Sequence, residues 1–234
     1  MKKLLTLWII SILTFIAILT LARLTSANTI LDDIYAYNQG SKPWCTFVSE
    51  ASIFSYWDAH GYGNLFDNPN TSLTSNIWPE VLDMVDLARS SQMSPYYGFS
   101  SNIVEFAETK GYTFKTISYS YMSPIYNIVT QVQPGVYEWG TPSWIRETNH
   151  TSSPFTFNMI TREIDKGFPL LYISNGNDPT DQYHSVSIFG YDTRQDGDYL
   201  AYYSNWSEPE TVLWRKFDPN WVSSLIMVEP VVNC

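Results

Sequence analysis

The most informative stretch of this 234-residue chain is Asn38-Gln39-Gly-Ser-Lys-Pro-Trp-Cys45-Thr-Phe-Val-Ser-Glu-Ala-Ser-Ile-Phe-Ser-Tyr-Trp57. Apolar residues recur in it at helical spacing, which predicts a helix over residues 45–58 with one buried face. Cys45 would then stand at the helix N-terminus, where the positive end of the helix dipole favours a thiolate over a thiol. Gln39 lies six residues earlier. The pattern indicates a cysteine placed for nucleophilic chemistry.

Two polar residues far along the chain fit the same chemistry. His184 begins His-Ser-Val-Ser-Ile-Phe-Gly-Tyr-Asp, and Asn205 lies in Tyr-Tyr-Ser-Asn-Trp. They follow Cys45 by 139 residues (184 minus 45) and by 160 residues (205 minus 45). Cysteine, then histidine, then asparagine is the chain order of papain-type thiol proteases.

Each of these four residues suits one role in acyl transfer. We expect His184 to take the thiol proton and to stabilise the Cys45 thiolate as an imidazolium. Asn205 would accept a hydrogen bond from the other imidazole nitrogen and fix the orientation of the ring. The side-chain amide of Gln39 and the backbone N–H of Cys45 would stabilise the oxyanion.

The motifs carry a family resemblance. The segment with Gln39 and Cys45 resembles the active-site segment of staphopain-type secreted cysteine peptidases, bacterial enzymes within the papain-like clan. The strand beginning at His184 and the Ser-Asn-Trp sequence at 204–206 resemble the histidine and asparagine strands of that clan. Residues 164–169 are similar to a helix-to-strand corner in bacteriocin-leader peptidases and their soluble relatives.

The resemblance implies a papain-like α+β fold and cysteine peptidase activity. Its N-terminal helical half would carry the Cys45 helix, and its C-terminal antiparallel sheet would carry His184 and Asn205. Trp206 would shield the histidine–asparagine pair from water. Two features depart from the family pattern: Thr46 and Phe47 replace the usual small residues, and only eleven residues, 28–38, separate the leader from Gln39. We therefore expect activity without removal of a pro-segment.

The first 27 residues have the features of a secretory signal. Lys2 and Lys3 precede an apolar run that ends near Ala22, and small residues at 25–27 suit a cleavage site. The apolar run is also long enough for an uncleaved membrane anchor. The sequence thus predicts a leader over 1–27, a single peptidase domain over 28–234, and a secreted or surface-anchored protein.

Helical patterns come first in the domain and strand patterns follow. Apolar stripes predict helices near 81–88, 103–107 and 156–166, with Gly167 ending the last of them. Short segments rich in β-branched and aromatic residues then predict strands at 168–174, 183–191, 198–204, 211–217 and 223–229. Helices followed by an antiparallel sheet form an α+β fold.

Residues 135–153 show little helical or strand periodicity. Long irregular segments in compact domains are often functional, so this one is a candidate wall of the substrate cleft. Tyr137, Trp139 and Trp144 would give it an apolar subsite, with Glu138 and Glu147 adding negative charge. The alternative is that these aromatic residues pack a loop onto the core.

Charge and composition restrict the partners. The net charge of −10 becomes −13 without Lys2, Lys3 and Arg23, and such an acidic chain lacks the basic face that nucleic-acid binding needs. The three histidines show no metal-ligand spacing, and no glycine-rich phosphate loop is present. We expect no metal or cofactor, a protein or peptide substrate, no membrane contact after leader cleavage, and a monomer.

Three other classes fit the same residues. One is a related acyl transferase, such as a transglutaminase or an amidase acting on cell-wall peptides. A second is a non-catalytic binding protein on a papain-like scaffold. The third is a structural surface protein held by a disulfide between Cys45 and Cys234, the only two cysteines of the chain.

Overall fold

The computed structural model describes residues 28–40, 44–66, 81–86, 98–120, 128–133, 136–140, 155–206 and 211–231. In chain order its elements are β1 (Asn28–Ile30), α1 (Cys45–Ala59), α2 (81–86), α3 (Gly98–Thr109), β2 (Phe114–Ser120), β3 (Ile128–Gln133), β4 (Val136–Gly140), α4 (Phe157–Asp165), β5 (Leu170–Ser174), β6 (Ser185–Arg194), β7 (Gly197–Tyr202), β8 (Leu213–Lys216) and β9 (Val222–Pro230). A single 3-10 turn, Pro219–Trp221, precedes β9.

All the described strands belong to one antiparallel sheet. Its order is β4-β3-β2-β9-β5-β6-β7-β8. The short strand β1 pairs with residues 190–192 of β6, beyond the part of β6 that pairs with β5. Strand β6, which follows His184 directly, therefore lies well inside the sheet.

The helices cover both faces of this sheet. One apolar cluster joins α1, α2 and α3 to side chains such as Leu171 and Phe189. The other joins α4 to side chains such as Tyr172 and Ile188. Because neighbouring residues of a strand point to opposite faces, the alternation in β5 and β6 divides the core into these two layers.

Helix α1 is buried on all sides, which corrects the expectation of one buried face. Residues 48–57 are all buried. Three serines are tolerated in this position because each hydroxyl bonds to a helix carbonyl: Ser49 to Cys45 (2.8 Å), Ser52 to Val48 (3.2 Å) and Ser55 to Ser52 (2.8 Å). The helix is thus a central element on which the rest of the domain packs.

Two glycines are required by the backbone. Gly167 has a φ of 82° and ends α4, where its N–H bonds to the carbonyl of Ile164. Gly190 lies where β1 crosses close to β6, and a Cβ built there would be 2.6 Å from the carbonyl oxygen of Thr29. Any side chain at 190 would separate the two strands.

The structure confirms the α+β fold with a helical N-terminal half and a C-terminal antiparallel sheet. The expected helix 156–166 is α4, and the five expected strands are β5 to β9 within a few residues at each end. The leader 1–27 lies outside the described residues.

Strands β2 to β4 were not expected, and β4 corrects the expectation of irregular structure for residues 136–140. Residues 136–140 pair with β3 and form the last strand on that side of the described sheet. Five strand-to-strand steps separate β4 from β6, about 24 Å along the sheet. Tyr137 and Trp139 therefore lie on a strand remote from the one that follows His184. Trp144 and Glu147 lie outside the described residues.

Candidate active site

Cys45 is the first residue of α1, as the sequence predicted. Trp44 is the N-cap residue and makes no side-chain hydrogen bond to the first turn of the helix. The side chain is partly buried and carries a free thiol. Cys234, the partner in the disulfide alternative, lies outside the described residues.

His184 lies directly before β6 and faces Cys45. It is buried, and its imidazole interacts with the Cys45 thiol as a hydrogen-bond partner. Its Nε2 lies 2.7 Å from the backbone carbonyl oxygen of Ser204. Because a carbonyl only accepts, Nε2 must carry the proton. This leaves Nδ1 as the basic nitrogen that can take the proton of Cys45.

An aromatic ring covers the imidazole. The indole of Trp206 stacks on His184 with 4.8 Å between ring centroids and 12° between the planes. Trp206 is itself 47% exposed, so its outer face meets solvent. The expected shielding of the histidine by this tryptophan is seen in the structure.

The charges of the pair stabilise each other. Burial raises the pKa of the Cys45 thiol, but the hydrogen bond and charge of His184 and the hydrogen bonds of Ser185 lower it more, to about 7 from 9.0. Burial lowers the pKa of His184. Hydrogen bonds to Cys45 and to the Ser204 carbonyl, together with the charges of Cys45 and Asp181, raise it by more, so that the pKa lies above its usual value. Both shifts favour a thiolate next to an imidazolium.

Asn205 lies beside this pair but makes different contacts from those expected. Its Nδ2 donates to Ser49 Oγ (2.6 Å) and to the carbonyl of Ser185 (3.2 Å). Its Oδ1 is buried without a hydrogen-bond partner among the described residues. The acceptor at the second imidazole nitrogen is the Ser204 carbonyl instead. Asn205 thus connects α1 to β6, and its main chain has a left-handed φ of 59°.

Gln39 lies next to Asn205 and is 2% exposed. Its backbone N–H donates to the carbonyl of Asn205 at 2.9 Å, which fixes the main chain before α1 against the strand end after β7. Its Oε1 is buried without a partner among the described residues. The four predicted site residues are therefore linked through a short series of contacts around the start of α1.

Serine and threonine side chains that the sequence interpretation missed hold this arrangement together. Thr46 Oγ1 and Ser185 Oγ lie 2.8 Å apart, and Ser49 Oγ lies 2.9 Å from the Ser185 carbonyl. The available signal was position: Ser49 follows Cys45 by four residues and so shares its helix face. Thr46, which departs from the small residues of the family pattern, uses its hydroxyl to join α1 to β6.

Residues 31–224 match a family model described as Peptidase C39 like. The chain belongs to the Peptidase C39 like family. The match covers most of the chain and includes Gln39, Cys45, His184 and Asn205. It agrees with the resemblance to papain-like cysteine peptidases and identifies the general class as a cysteine peptidase. A comparison with curated proteins gives no significant match.

Neither a metal-binding cluster nor a membrane-spanning helix is found in the part of the chain that the structure describes. Within the described ranges, no three or more His, Cys, Asp or Glu side chains are grouped so that they could hold a metal ion. No helix in the described part of the chain has the length and apolar character needed to cross a membrane.

The thiol should react as a thiolate near neutral pH. With a pKa of about 7, about half of Cys45 is ionised at pH 7, against roughly 1% for an unperturbed thiol at 9.0. We expect the rate of alkylation by iodoacetamide to fall as the pH falls through about 7. In His184→Gln, the hydrogen bond and charge of His184 are lost while burial and the Ser185 hydrogen bonds remain, so the midpoint should move clearly above 7. Mass spectrometry of the Cys45 peptide gives the rates, and equal midpoints in both proteins would contradict the pairing.

Asn205→Ala should reduce turnover only modestly. The Ser204 carbonyl still holds the imidazole, and the variant loses the two hydrogen bonds from Asn205 Nδ2 to Ser49 and Ser185, so we expect a loss of roughly tenfold in rate. Asn205→Gly should keep more stability than Asn205→Ala, because glycine adopts a positive φ without strain. Peptidase assays and thermal unfolding would measure the two effects. A loss as large as that of His184→Ala would show that Asn205 holds the imidazole itself.

Proposed function

We propose that this protein is a secreted cysteine endopeptidase that hydrolyses peptide bonds with Cys45, His184, Asn205 and Gln39. The observation that carries the proposal is the Cys45–His184 pair, in which the Ser204 carbonyl leaves Nδ1 facing the thiol. A pair with a lowered thiol pKa and a raised imidazole pKa is the reactive form of a thiol nucleophile. The family match supports the peptidase class.

The reaction would begin with attack of the Cys45 thiolate on the scissile carbonyl. The oxyanion that forms would receive hydrogen bonds from the backbone N–H of Cys45 and the side-chain amide of Gln39. The His184 imidazolium would then donate its Nδ1 proton to the departing amine, which leaves an acyl-enzyme thioester. Neutral His184 would next take a proton from water, and the hydroxide equivalent would release the acid product and restore the thiolate.

The location of the protein is part of the proposal. Residues 1–27 would direct export and be removed after Ala27, so residues 28–234 would act outside the cell. The remaining chain would be a monomer that binds protein or peptide substrates, with no metal or cofactor.

A covalent label and a cleavage assay together test the proposal. Purified protein comprising residues 28–234 should be labelled at Cys45 by a thiol-directed peptidyl epoxide and should cleave unfolded proteins within the chain. The same label should be absent from Cys45→Ala. Labelling without any cleavage would contradict the endopeptidase proposal and favour an acyl transferase, which a glutamine–amine transfer assay detects. If the protein neither cleaved proteins nor transferred an acyl group, a non-catalytic binding protein would be favoured.

A further inference from the structure

The loop of residues 175–183 determines where His184 lies. It connects β5 to β6, and Ser174 closes its base. The backbone N–H of His184 donates to Ser174 Oγ at 2.8 Å, and the backbone N–H of Ser174 donates to the His184 carbonyl at 2.9 Å. The Ser174 hydroxyl also bonds to the carbonyl of Asp181. A shift of this loop would therefore move the imidazole.

A buried ion pair holds the same loop to the sheet. Asp178 is fully buried and its Oδ2 contacts the guanidinium of Arg215, which lies on β8 and is 6% exposed. The other carboxylate oxygen, Oδ1, accepts the backbone N–H groups of Thr180 (2.9 Å) and Asp181 (3.1 Å). Both oxygens of Asp178 are thus used to fold the loop and to join it to a distant strand.

The guanidinium of Arg215 is packed between aromatic rings. It lies 5.0 Å from the ring centroid of Tyr172 on β5 and 5.5 Å from that of Tyr202 on β7. Arginine is suited to such a site because its flat cation stacks on rings and reaches two carboxylates at once. Asp178 is one of these carboxylates.

Asp181 is the second carboxylate, three residues before His184. Its Oδ2 lies 3.7 Å from Arg215 Nη1 and accepts a hydrogen bond of 3.2 Å from the hydroxyl of Tyr202. These two contacts hold the Asp181 carboxylate in place. Its negative charge is one of the influences that raise the pKa of His184.

We propose that Asp178, Arg215 and Asp181 form a positioning unit for His184, in which the Asp178–Arg215 pair fixes the loop and the Asp181 carboxylate stabilises the imidazolium. The inference rests on the proposed function in that it takes His184 as the base of the reaction. None of the three side chains contacts the reacting thiol in the structure, so they act through His184. They are not among the four active-site residues of the proposed function.

The electrostatic part of the unit is tested by Asp181→Asn. The charged or titratable groups that act on the imidazole are Cys45 from α1 and Asp181 from the loop, with Arg215 behind Asp181. Asparagine keeps the shape and can still accept the Tyr202 hydrogen bond, but it removes the charge. We expect the pKa of His184 to fall, and to fall by less than it would if Asp181 had no partner, since Arg215 already neutralises part of the Asp181 charge.

Nitrogen NMR of the histidine rings measures this pKa directly, without any substrate. The chain has only three histidines, and His60→Gln and His150→Gln assign the other two signals. Asp196→Asn is the matched control, because it makes the same charge change beyond the far end of the ten-residue strand β6, roughly 30 Å from His184. An unchanged His184 pKa in Asp181→Asn, or an equal change in the control, would overturn the electrostatic role. The measurement stands even if the protein cleaves no peptide.

Arg215→Lys tests the positioning part. Lysine keeps a cation beside the buried Asp178, so the fold should be retained, but it cannot hold two carboxylates in the fixed geometry of a guanidinium. We expect kcat to fall about tenfold or more with KM nearly unchanged, and the His184 NMR signal to move. Wild-type kcat in a folded Arg215→Lys protein would show that the pair supports stability alone. If the wild type has no peptidase activity, the NMR signal of His184 is used instead, and an unchanged signal in this variant would contradict the positioning role.

Discussion

Cys45→Ala should lose nearly all peptidase activity, by about a million-fold in kcat, and should keep its fold. The expected size is that of removing the nucleophile from a site whose members act as a unit. The fold should persist because the thiol is at the partly buried end of α1, and alanine is compatible with the first turn of a helix. Turnover of a fluorogenic peptide and thermal unfolding of both proteins measure the two properties.

A double variant tests whether Cys45 and His184 act as a unit. His184→Ala should cost almost as much as Cys45→Ala, and the combination should cost little more than either change alone, because a thiol without its base and a base without its thiol are both inactive. Additive losses would mean that the two residues work independently. Substantial activity in Cys45→Ala would remove it as the nucleophile and would favour a different residue in the same cleft.

The residues of this candidate site could be proposed from the sequence because their chemistry is visible as residue types. The helical period placed Cys45 at a helix start, and the order of Cys45, His184 and Asn205 along the chain suggested which side chains would meet. The acceptor at His184 Nε2 was not predictable, because it is a backbone carbonyl and Ser204 gives no signal of it. The contacts of Asn205 depend on Ser49, a polar residue within an apolar helix pattern, and so were missed as well.

Sequence patterns could not predict the long-range ion pair or the strands β2 to β4. Asp178 and Arg215 lie 37 residues apart, and only the antiparallel register that places β8 beyond β7 brings them together. Strand β2 carries Phe114 and Ile117 among Lys, Thr and Ser, a mixture that resembles a loop until its pairing with β9 is known. Pairing across a sheet decides these features, and local periodicity does not report it.

Gln39 is the proposed oxyanion donor, and it is buried next to Asn205. A buried amide normally forms hydrogen bonds within the fold, and leaving one unmet costs about 1–3 kcal/mol. Gln39 is 2% exposed, yet its Oε1 has no partner among the described residues, while its backbone is held by Asn205. The hydrogen bond from its N–H to the Asn205 carbonyl fixes the main chain that carries this side chain. The amide oxygen therefore has no hydrogen bond among the described residues that substitution would remove.

Gln39→Ala should therefore reduce kcat by about 10²–10³ with little effect on KM, the range measured for loss of one oxyanion donor. Unfolding should change little, and alkylation of Cys45 by iodoacetamide should proceed at the wild-type rate, because that displacement forms no oxyanion. Gln39→Glu is the sharper comparison, since it keeps the shape but presents a carboxylate that repels the developing charge. It should lose at least as much turnover as Gln39→Ala. If either variant cleaved peptide at the wild-type rate, another donor would have to stabilise the oxyanion, even with Cys45 established as the nucleophile.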